Sequence, residues 1–138
     1  MGRVVLIDSG PIVAALLRRD QHHDWARAHF EALREPCLTC EAVLSECFFL
    51  LGRVGGGPER LCRLLERGII VSAFSLNPHL AETLRLARRY ADTPMSFADA
   101  CLVRLAEMHD ESVVFTTDRD FETYRKNGRQ IIPLLKSW

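Results

Sequence analysis

The sequence predicts an α/β protein, a three-layer α/β/α sandwich with a central, mainly parallel sheet of four to five strands. Short apolar runs rich in β-branched residues alternate with longer segments of helical periodicity. This alternation is typical of crossover connections between parallel strands, with helices covering both faces of the sheet. The chain has 138 residues and no low-complexity segment, so we expect a single domain over residues 1–138.

The composition is that of an ordinary globular domain, with 48% hydrophobic and 26% charged residues. No apolar stretch approaches the roughly 20 residues that a membrane-spanning helix needs. No secretory signal is recognisable at the start, so we expect a cytoplasmic protein without a membrane partner. The 18 basic and 18 acidic residues cancel, so the total charge does not indicate nucleic-acid binding, although a local basic rim is compatible with it.

The strands and helices follow one another in a regular order. Strands are predicted at 4–7, 37–38, 69–71, 113–116 and 131–132. Helices are predicted at 11–17, 25–33, 40–51, 58–66, 78–91 and 97–108, with a short helix at 118–124. Asp24, Thr39, Asn77 and Ser96 are the candidate N-caps, because their short polar side chains precede helical segments.

Two carboxylates lie where predicted strands end. Asp8 comes directly after the strand at 4–7, and Asp118 follows the strand at 113–116. The carboxyl ends of parallel strands meet at one edge of the sheet, where ligands bind in open α/β folds. Taken singly, Asp8 is equally compatible with a helix cap and Asp118 with an ordinary turn residue.

Two further carboxylates lie in segments that are otherwise apolar. Glu46 is surrounded at helical spacing by apolar residues, and burying it as an unpaired charge would cost several kcal/mol. A salt bridge to an arginine would explain Glu46 as well as a metal would. Asp99 faces apolar neighbours on the helix at 97–108, but Ser96 and Asp99 also have the spacing of a capping box.

The four carboxylates together predict a site for a hard cation. Oxygen ligands of this kind suit Mg²⁺ or Mn²⁺ rather than zinc. Without a cation, clustered carboxylates repel one another and raise one another's pKa. One or two such ions can activate water and stabilise the leaving oxygen in phosphodiester cleavage.

Cysteine chemistry is a weaker candidate. Cys37 and Cys40 form a lone C-x-x-C, without the second ligand pair that a structural zinc site requires. We expect reduced thiols that pack as small hydrophobic residues.

Four short motifs carry a resemblance to a known family. They are IDSGP at 7–11, EAVLSE at 41–46, PMSFADA at 94–100 and FTTDRDF at 115–121. In order and spacing they resemble the PIN-domain family, and within it the VapC-type ribonuclease toxins. The resemblance implies a sheet with the first strand in the middle, an acidic pocket for Mg²⁺ or Mn²⁺, and endonucleolytic cleavage of RNA. It also implies a type II toxin with a cognate antitoxin protein, and a homodimer.

The resemblance assigns roles to individual residues. The acidic quartet that holds the metal and carries catalysis corresponds to Asp8, Glu46, Asp99 and Asp118. Ser9 and Thr116 correspond to hydroxyls that support the quartet. Asp120 is either an outer ligand or a helix cap, and Asp92 either a peripheral acid or a turn residue.

RNA binding would need cations and aromatic rings near the pocket. Arg18, Arg19 and Arg119 are the candidate phosphate contacts, and Trp25 and Tyr124 are candidates for base stacking. The alternative function is a PIN-like RNA- or protein-binding module without catalysis. A phosphatase of the haloacid dehalogenase type is disfavoured, because it needs a second aspartate at position 10, which is Gly10.

Overall fold

Residues 3–138 are described by the computed structural model, and within them seven strands form a five-stranded sheet and a hairpin. The strands are β1 (Val4–Ile7), β2 (Cys37–Thr39), β3 (Ile70–Ser72), β4 (Ser112–Thr116), β5 (Arg125–Lys126), β6 (Gln130–Ile131) and β7 (Leu134–Lys136). The sheet has the order β3-β2-β1-β4-β7 and every pair in it is parallel. The first strand therefore lies in the middle, as expected.

Helices cover both faces of this sheet. Those in residues 3–138 are α1 (Ser9–Leu16), α2 (His23–Ala32), α3 (Glu41–Leu51), α4 (Gly57–Glu66), α5 (Leu80–Arg89) and α6 (Phe97–Met108). Contacts link α1 to α2, α3 and α4, and link α5 to α6. Right-handed crossovers place the first group on one face and the second on the other, which confirms the α/β/α sandwich. None of the described helices is long and apolar enough to cross a membrane.

The core is centred on β1, β4 and α6. Leu6, Ile7 and Phe115 are fully buried, because the central strands are covered on both faces. Helix α6 is buried along most of its length, and this burial includes Asp99, which is 6% exposed. A carboxylate inside a core helix requires a polar partner.

The C-terminal part of the sheet differs from the prediction. The strand predicted at 131–132 is only partly present, since Ile131 ends the hairpin strand β6 and is 72% exposed, while Ile132 lies in no strand. Neither residue belongs to the five-stranded sheet. The outer sheet strand is β7, which begins after Pro133. Two apolar pairs flank Pro133 in the sequence. The hairpin turns at Asn127 and Gly128, whose φ values of 52° and 86° are left-handed. Because this turn pairs Ile131 with Arg125, Leu134 and Leu135 are the apolar pair that joins β4 in the sheet.

Three of the four predicted N-caps are also wrong. Asn77 lies inside a short 3-10 helix before α5, and the cap residue of α5 is His79. Asp24 lies inside the first turn of α2, after the cap residue His22. Thr39 ends β2, and its hydroxyl donates to the Ile7 carbonyl oxygen at 2.7 Å, so it joins two strands instead of capping α3. Ser96 caps α6 as predicted.

The cysteines are free thiols, and Cys37, Cys40, Cys47 and Cys101 are buried. Burial raises the pKa of Cys37 and of Cys47 to about 12. These two groups therefore stay protonated at neutral pH and pack as small apolar side chains.

Candidate metal centre at the carboxyl edge of the sheet

Asp8 lies between the end of β1 and the start of α1, and both of its oxygens are held. Its Oδ1 accepts from the Ser9 backbone N–H at 2.8 Å, and its Oδ2 accepts from the Thr116 hydroxyl at 2.9 Å. A methyl group at Gly10 would collide with the Thr117 hydroxyl. Gly10 therefore lets α1 begin directly against the loop that follows β4.

Asp99 is held at the start of α6 by a capping box and by a tyrosine. The Ser96 hydroxyl accepts from the Asp99 N–H at 3.0 Å, and Asp99 Oδ2 accepts from the Ser96 N–H at 3.4 Å. The hydroxyl of Tyr124 donates to the same Oδ2 at 2.9 Å. Capping and a place in the acidic site are therefore not alternatives, because local hydrogen bonds orient a carboxylate that still lies close to Asp8 and Asp118.

Asp118 is the third carboxylate, in the turn after β4. Its N–H donates to Thr116 Oγ1 at 2.9 Å, and its Oδ1 accepts from the Asp120 N–H at 2.9 Å. Thr116 thus connects Asp118 to Asp8. Desolvation, followed by the charge of Asp118, raises the pKa of Asp120. The N-cap of the short 3-10 helix at Arg119–Glu122 is Asp118, so the predicted role of Asp120 as a helix cap is wrong.

The three carboxylates meet at one point. Asp8, Asp99 and Asp118 each offer an oxygen, and these oxygens all lie within 4.8 Å of one another. The pKa of Asp8 is raised from 3.8 to about 7, mainly by burial and next by the charge of Asp99, against the hydrogen bonds from Ser9 and Thr116. Burial also raises the pKa of Asp99, with a further contribution from Asp118.

The donor set fits a divalent cation. Within residues 3–138, no lysine, arginine or histidine forms an ion pair with any of the three carboxylates. Their mutual repulsion is therefore not offset by the protein itself. Carboxylate and hydroxyl oxygens are the ligands that Mg²⁺ and Mn²⁺ prefer.

Glu46 lies outside this three-carboxylate cluster. Its side chain is exposed on α3 and is not buried among the apolar residues at helical spacing around it. The free-energy cost of burying an unpaired charge therefore does not arise. The Ser9 hydroxyl donates to its Oε1 at 2.8 Å. Because Ser9 follows Asp8 in the chain, this hydrogen bond links Glu46 to the three-carboxylate cluster. The salt bridge to an arginine is not formed within the described residues.

The three candidate RNA-contacting arginines lie in different places. Arg119 directly follows Asp118 and is exposed. Arg18 and Arg19 follow the far end of α1, roughly 12 Å from its start for an eight-residue helix. There they line a cavity of about 610 Å³. Asp92 is an exposed turn residue.

Tyr124 has a role that sequence reasoning missed. It is fully buried, so the stacking role considered for it is wrong, and it instead holds Asp99. Its aromatic packing against Tyr90 and Phe121 places the hydroxyl. No local signal in the sequence identifies this contact, because it joins two segments that meet only in the folded chain. Trp25 packs edge-on against Phe115, 5.1 Å between ring centroids.

Comparison with known proteins identifies the family. The PIN domain model matches residues 5–127. The fold is similar to that of Mycobacterium tuberculosis VapC20, described as a sarcin–ricin loop cleaving toxin, with a TM-score of 0.77 at 17% sequence identity. That match covers 86% of this chain and 93% of the VapC20 chain. No curated protein matched in the sequence comparison. The chain therefore belongs to the PIN-domain family, as its motifs predicted.

Proposed function

We propose that the protein is a metal-dependent endoribonuclease, the toxin of a type II toxin–antitoxin pair. The observation that carries the proposal is the meeting of Asp8, Asp99 and Asp118 within 4.8 Å at the carboxyl edge of the sheet. Membership of the PIN-domain family and the VapC-like fold support it. Substrate RNA is in the cytoplasm, so the proposal includes a cytoplasmic location.

The three aspartates would hold Mg²⁺ or Mn²⁺, with Glu46 completing the acidic set from the solvent side. When bound, such an ion supplies Lewis-acid activation of water and neutralises charge on the phosphodiester. Thr116 and the N–H of Ser9 fix the orientation of Asp8. Within the described residues, Oδ2 of Asp118 has no hydrogen-bond donor, so it is free to bind the ion or to accept a proton from water.

The protein's own residues also have to bind RNA next to these negative charges. Arg119 provides a cation directly beside Asp118, and we assign it to a phosphate of the substrate. Arg18 and Arg19 lie at the other end of α1 and would contact only RNA that extends around the molecule.

Two protein partners belong to the proposal. A cognate antitoxin would cover the mouth of the acidic pocket. A homodimer would bury an apolar surface of α3, where Phe49 is 83% exposed and Leu50 is 49% exposed. Sedimentation velocity on the intact chain measures whether the protein is dimeric.

Cleavage of RNA by purified protein tests the proposed function. We expect the wild-type chain to cut an unstructured RNA with Mg²⁺ or Mn²⁺ and to stop when the metal is chelated. Asp8→Asn should lose activity while keeping its fold. The matched control is Asp110→Asn, because Asp110 is exposed and precedes β4 at the opposite edge of the sheet. An Asp8→Asn protein that cuts at the wild-type rate would overturn the mechanism.

The alternative, a PIN-like RNA- or protein-binding module without catalysis, is distinguished by metal binding. A saturable Mn²⁺ site stabilises the folded state by about 2.7 kcal/mol when the metal is at 100 times its Kd. We expect this thermal shift in the wild-type chain and its loss in Asp8→Asn. Absence of a shift in the wild-type chain would favour the binding module.

A further inference from the structure

Strand β7 brings a second group of side chains to the edge of the sheet that carries the carboxylates. Its Lys136 is in register with Thr116, whose hydroxyl binds Asp8. Trp138 follows two residues later. The Arg119 guanidinium carbon lies 5.4 Å from the centroid of the Trp138 ring, and Lys136 Nζ lies 5.3 Å from it. One indole therefore holds two cations beside Asp118.

The side chains of this group, Arg119, Lys136 and Trp138, carry two positive charges. Lys136 pairs with Glu122 at 3.1 Å, and the two side chains are 41% and 46% exposed. Arg119 forms no ion pair with any described residue. Among the described side chains, these two cations thus have one ion-pair partner, Glu122, and they lie next to the acidic centre. The two positive charges repel each other, and the attraction of each cation to the indole ring offsets this repulsion.

The indole N–H of Trp138 lacks a well-formed hydrogen bond in the protein. The Nε1 atom is shielded from solvent and lies near the Glu122 carboxylate, whose pKa is lowered by Lys136 and by this indole, but it does not form a hydrogen bond of full geometry. A shielded donor whose acceptor is poorly aligned recovers only part of the free energy of a hydrogen bond, and such a group calls for an explanation. Cation–π contacts at an exposed site return only about 0.5–1 kcal/mol each. Packing stability alone is therefore a weak reason for this arrangement.

The distance from the carboxylates suits the next nucleotide of a bound strand. Strands β1, β4 and β7 are neighbours, and neighbouring strands lie about 4.8 Å apart, so β7 runs roughly 10 Å from β1. A phosphate flanking the cleaved bond cannot rest on carboxylates and needs cations. Proteins that bind single strands combine such cations with an aromatic ring on which a base stacks.

We propose that Arg119, Lys136 and Trp138 form a nucleotide subsite for single-stranded RNA beside the acidic centre. The two cations hold a phosphate flanking the cleaved bond, and the indole packs against the adjoining base. This inference rests on the proposed function, because it places the subsite next to the cleaved phosphodiester. Trp138 acts here as a positioning residue for the cations and as a contact for the base.

RNA binding without cleavage tests the subsite. In an Asp8→Asn background, binding of a short unstructured oligoribonucleotide is measured over a range of salt concentrations. Trp138→Ala should weaken binding about 10-fold, and Trp138→Phe should restore much of it. Arg119→Gln and Lys136→Gln should each reduce the salt slope by about 0.7. Arg129→Gln is the matched control, because Arg129 is exposed in the hairpin that precedes β7.

Two further variants separate the subsite from a structural role. Glu122→Gln removes the carboxylate that competes for Lys136, so RNA should bind more tightly. Trp25→Phe leaves Trp138 as the sole tryptophan of the two in the chain, and RNA should quench its fluorescence. In the cleaving protein, Trp138→Ala should raise KM and leave kcat nearly unchanged. If Trp138 had only a structural role, Trp138→Ala would lower the Tm, and Arg119→Gln and Lys136→Gln would keep the wild-type salt slope.

The outcomes distinguish the subsite from the proposed function. Wild-type affinity, salt slope and KM in Trp138→Ala, with wild-type cleavage intact, would overturn the subsite and leave the nuclease standing. Quenching of Trp138 by RNA in a protein that never cleaves would support the subsite and overturn the nuclease. No quenching in the Trp25→Phe protein, at RNA concentrations that saturate binding, would also overturn the subsite.

Discussion

The two ends of α1 differ in charge and in surroundings. Its first residues lie at the acidic centre, where the buried Asp8 and Asp99 meet the partly exposed Asp118. Beyond its last residue lies a cavity of about 610 Å³ with an apolar floor. The basic residues around that cavity are Arg18, Arg19, Arg27 and Arg60, together with His23. A chain with zero formal net charge therefore separates its charges between two regions.

This difference teaches that total charge is a poor guide to the function of this protein. The acidic centre combines distant parts of the chain, because the ends of β1 and β4 and the start of α6 share one edge of the sheet. The arginines near the cavity come mainly from the connection after α1 and the helices beside it. The carboxylates lack a cation among residues 3–138, whereas Arg27 has Glu31 as an ion-pair partner at 3.3 Å. Arg18, Arg19 and Arg60 are exposed and solvated, whereas Asp8 and Asp99 are buried. The acidic end is therefore the one whose charges call for an external ligand.

The largest expected effect comes from charge removal at the acidic end. Asp99→Asn keeps an acceptor for Tyr124 but removes one charge from the cluster, and we expect RNA cleavage to fall by about 100-fold or more. Arg18→Gln combined with Arg19→Gln should leave kcat/KM within about twofold at the same metal concentration. Initial cleavage rates measure both. A strong loss in the arginine double variant would show that RNA reaches the far end of α1.

A smaller effect is expected at Glu46, which is linked to the centre through Ser9. Glu46→Gln retains an acceptor for the Ser9 hydroxyl and removes the charge, so cleavage should fall by about 10-fold to 100-fold. Ser9→Ala breaks the link and leaves the charge, and should cost less. Metal titrations of the cleavage rate separate a change in metal affinity from a change in kcat. Full activity of Glu46→Gln at low metal would remove Glu46 from the ligand set.

The smallest expected effect is on the stability of the metal-free protein. The pKa of Asp8 is raised from 3.8 to about 7 in the folded state, so the folded protein binds this proton more tightly than the unfolded chain does. Its contribution to stability is complete below about pH 4 and is lost as the pH rises through about 7. In chelator at pH 8, Asp8→Asn should be more stable than wild type by about 1 kcal/mol, or roughly 3–5 °C in Tm.

Thermal unfolding across this pH range measures the effect, with Asp110→Asn as the variant that should follow wild type. A wild-type Tm that does not fall between pH 4 and pH 8 would show that the cluster is not strained without metal. Lower stability of Asp8→Asn at pH 8 would show that the hydrogen bonds from Ser9 and Thr116 outweigh the repulsion.

The sequence predicted well most strands of the sheet and the positions of Asp8, Asp99 and Asp118 at the ends of predicted elements, because both depend on local patterns. The boundaries of β1 are as predicted, since a buried strand that ends in one aspartate has a clear pattern. Ser96 and Asp99 were recognised through their spacing. The strand at 131–132 could not be predicted correctly, because the pairing of the hairpin decided it. The burial of Glu46 was also misjudged, because helical neighbours alone do not reveal which face of α3 meets solvent.

The sequence by itself determined which residues can serve the centre, since the strand ends, the capping box and the apolar helix α6 are local properties of the chain. Only the tertiary structure decided which of them meet. It brought Asp8, Asp99 and Asp118 within 4.8 Å, left Glu46 to reach them through Ser9, and buried Tyr124 against Asp99. The physical reason is that side-chain hydrogen bonds and charge repulsion act over a few ångströms, and sheet order and helix packing alone set distances between segments a hundred residues apart.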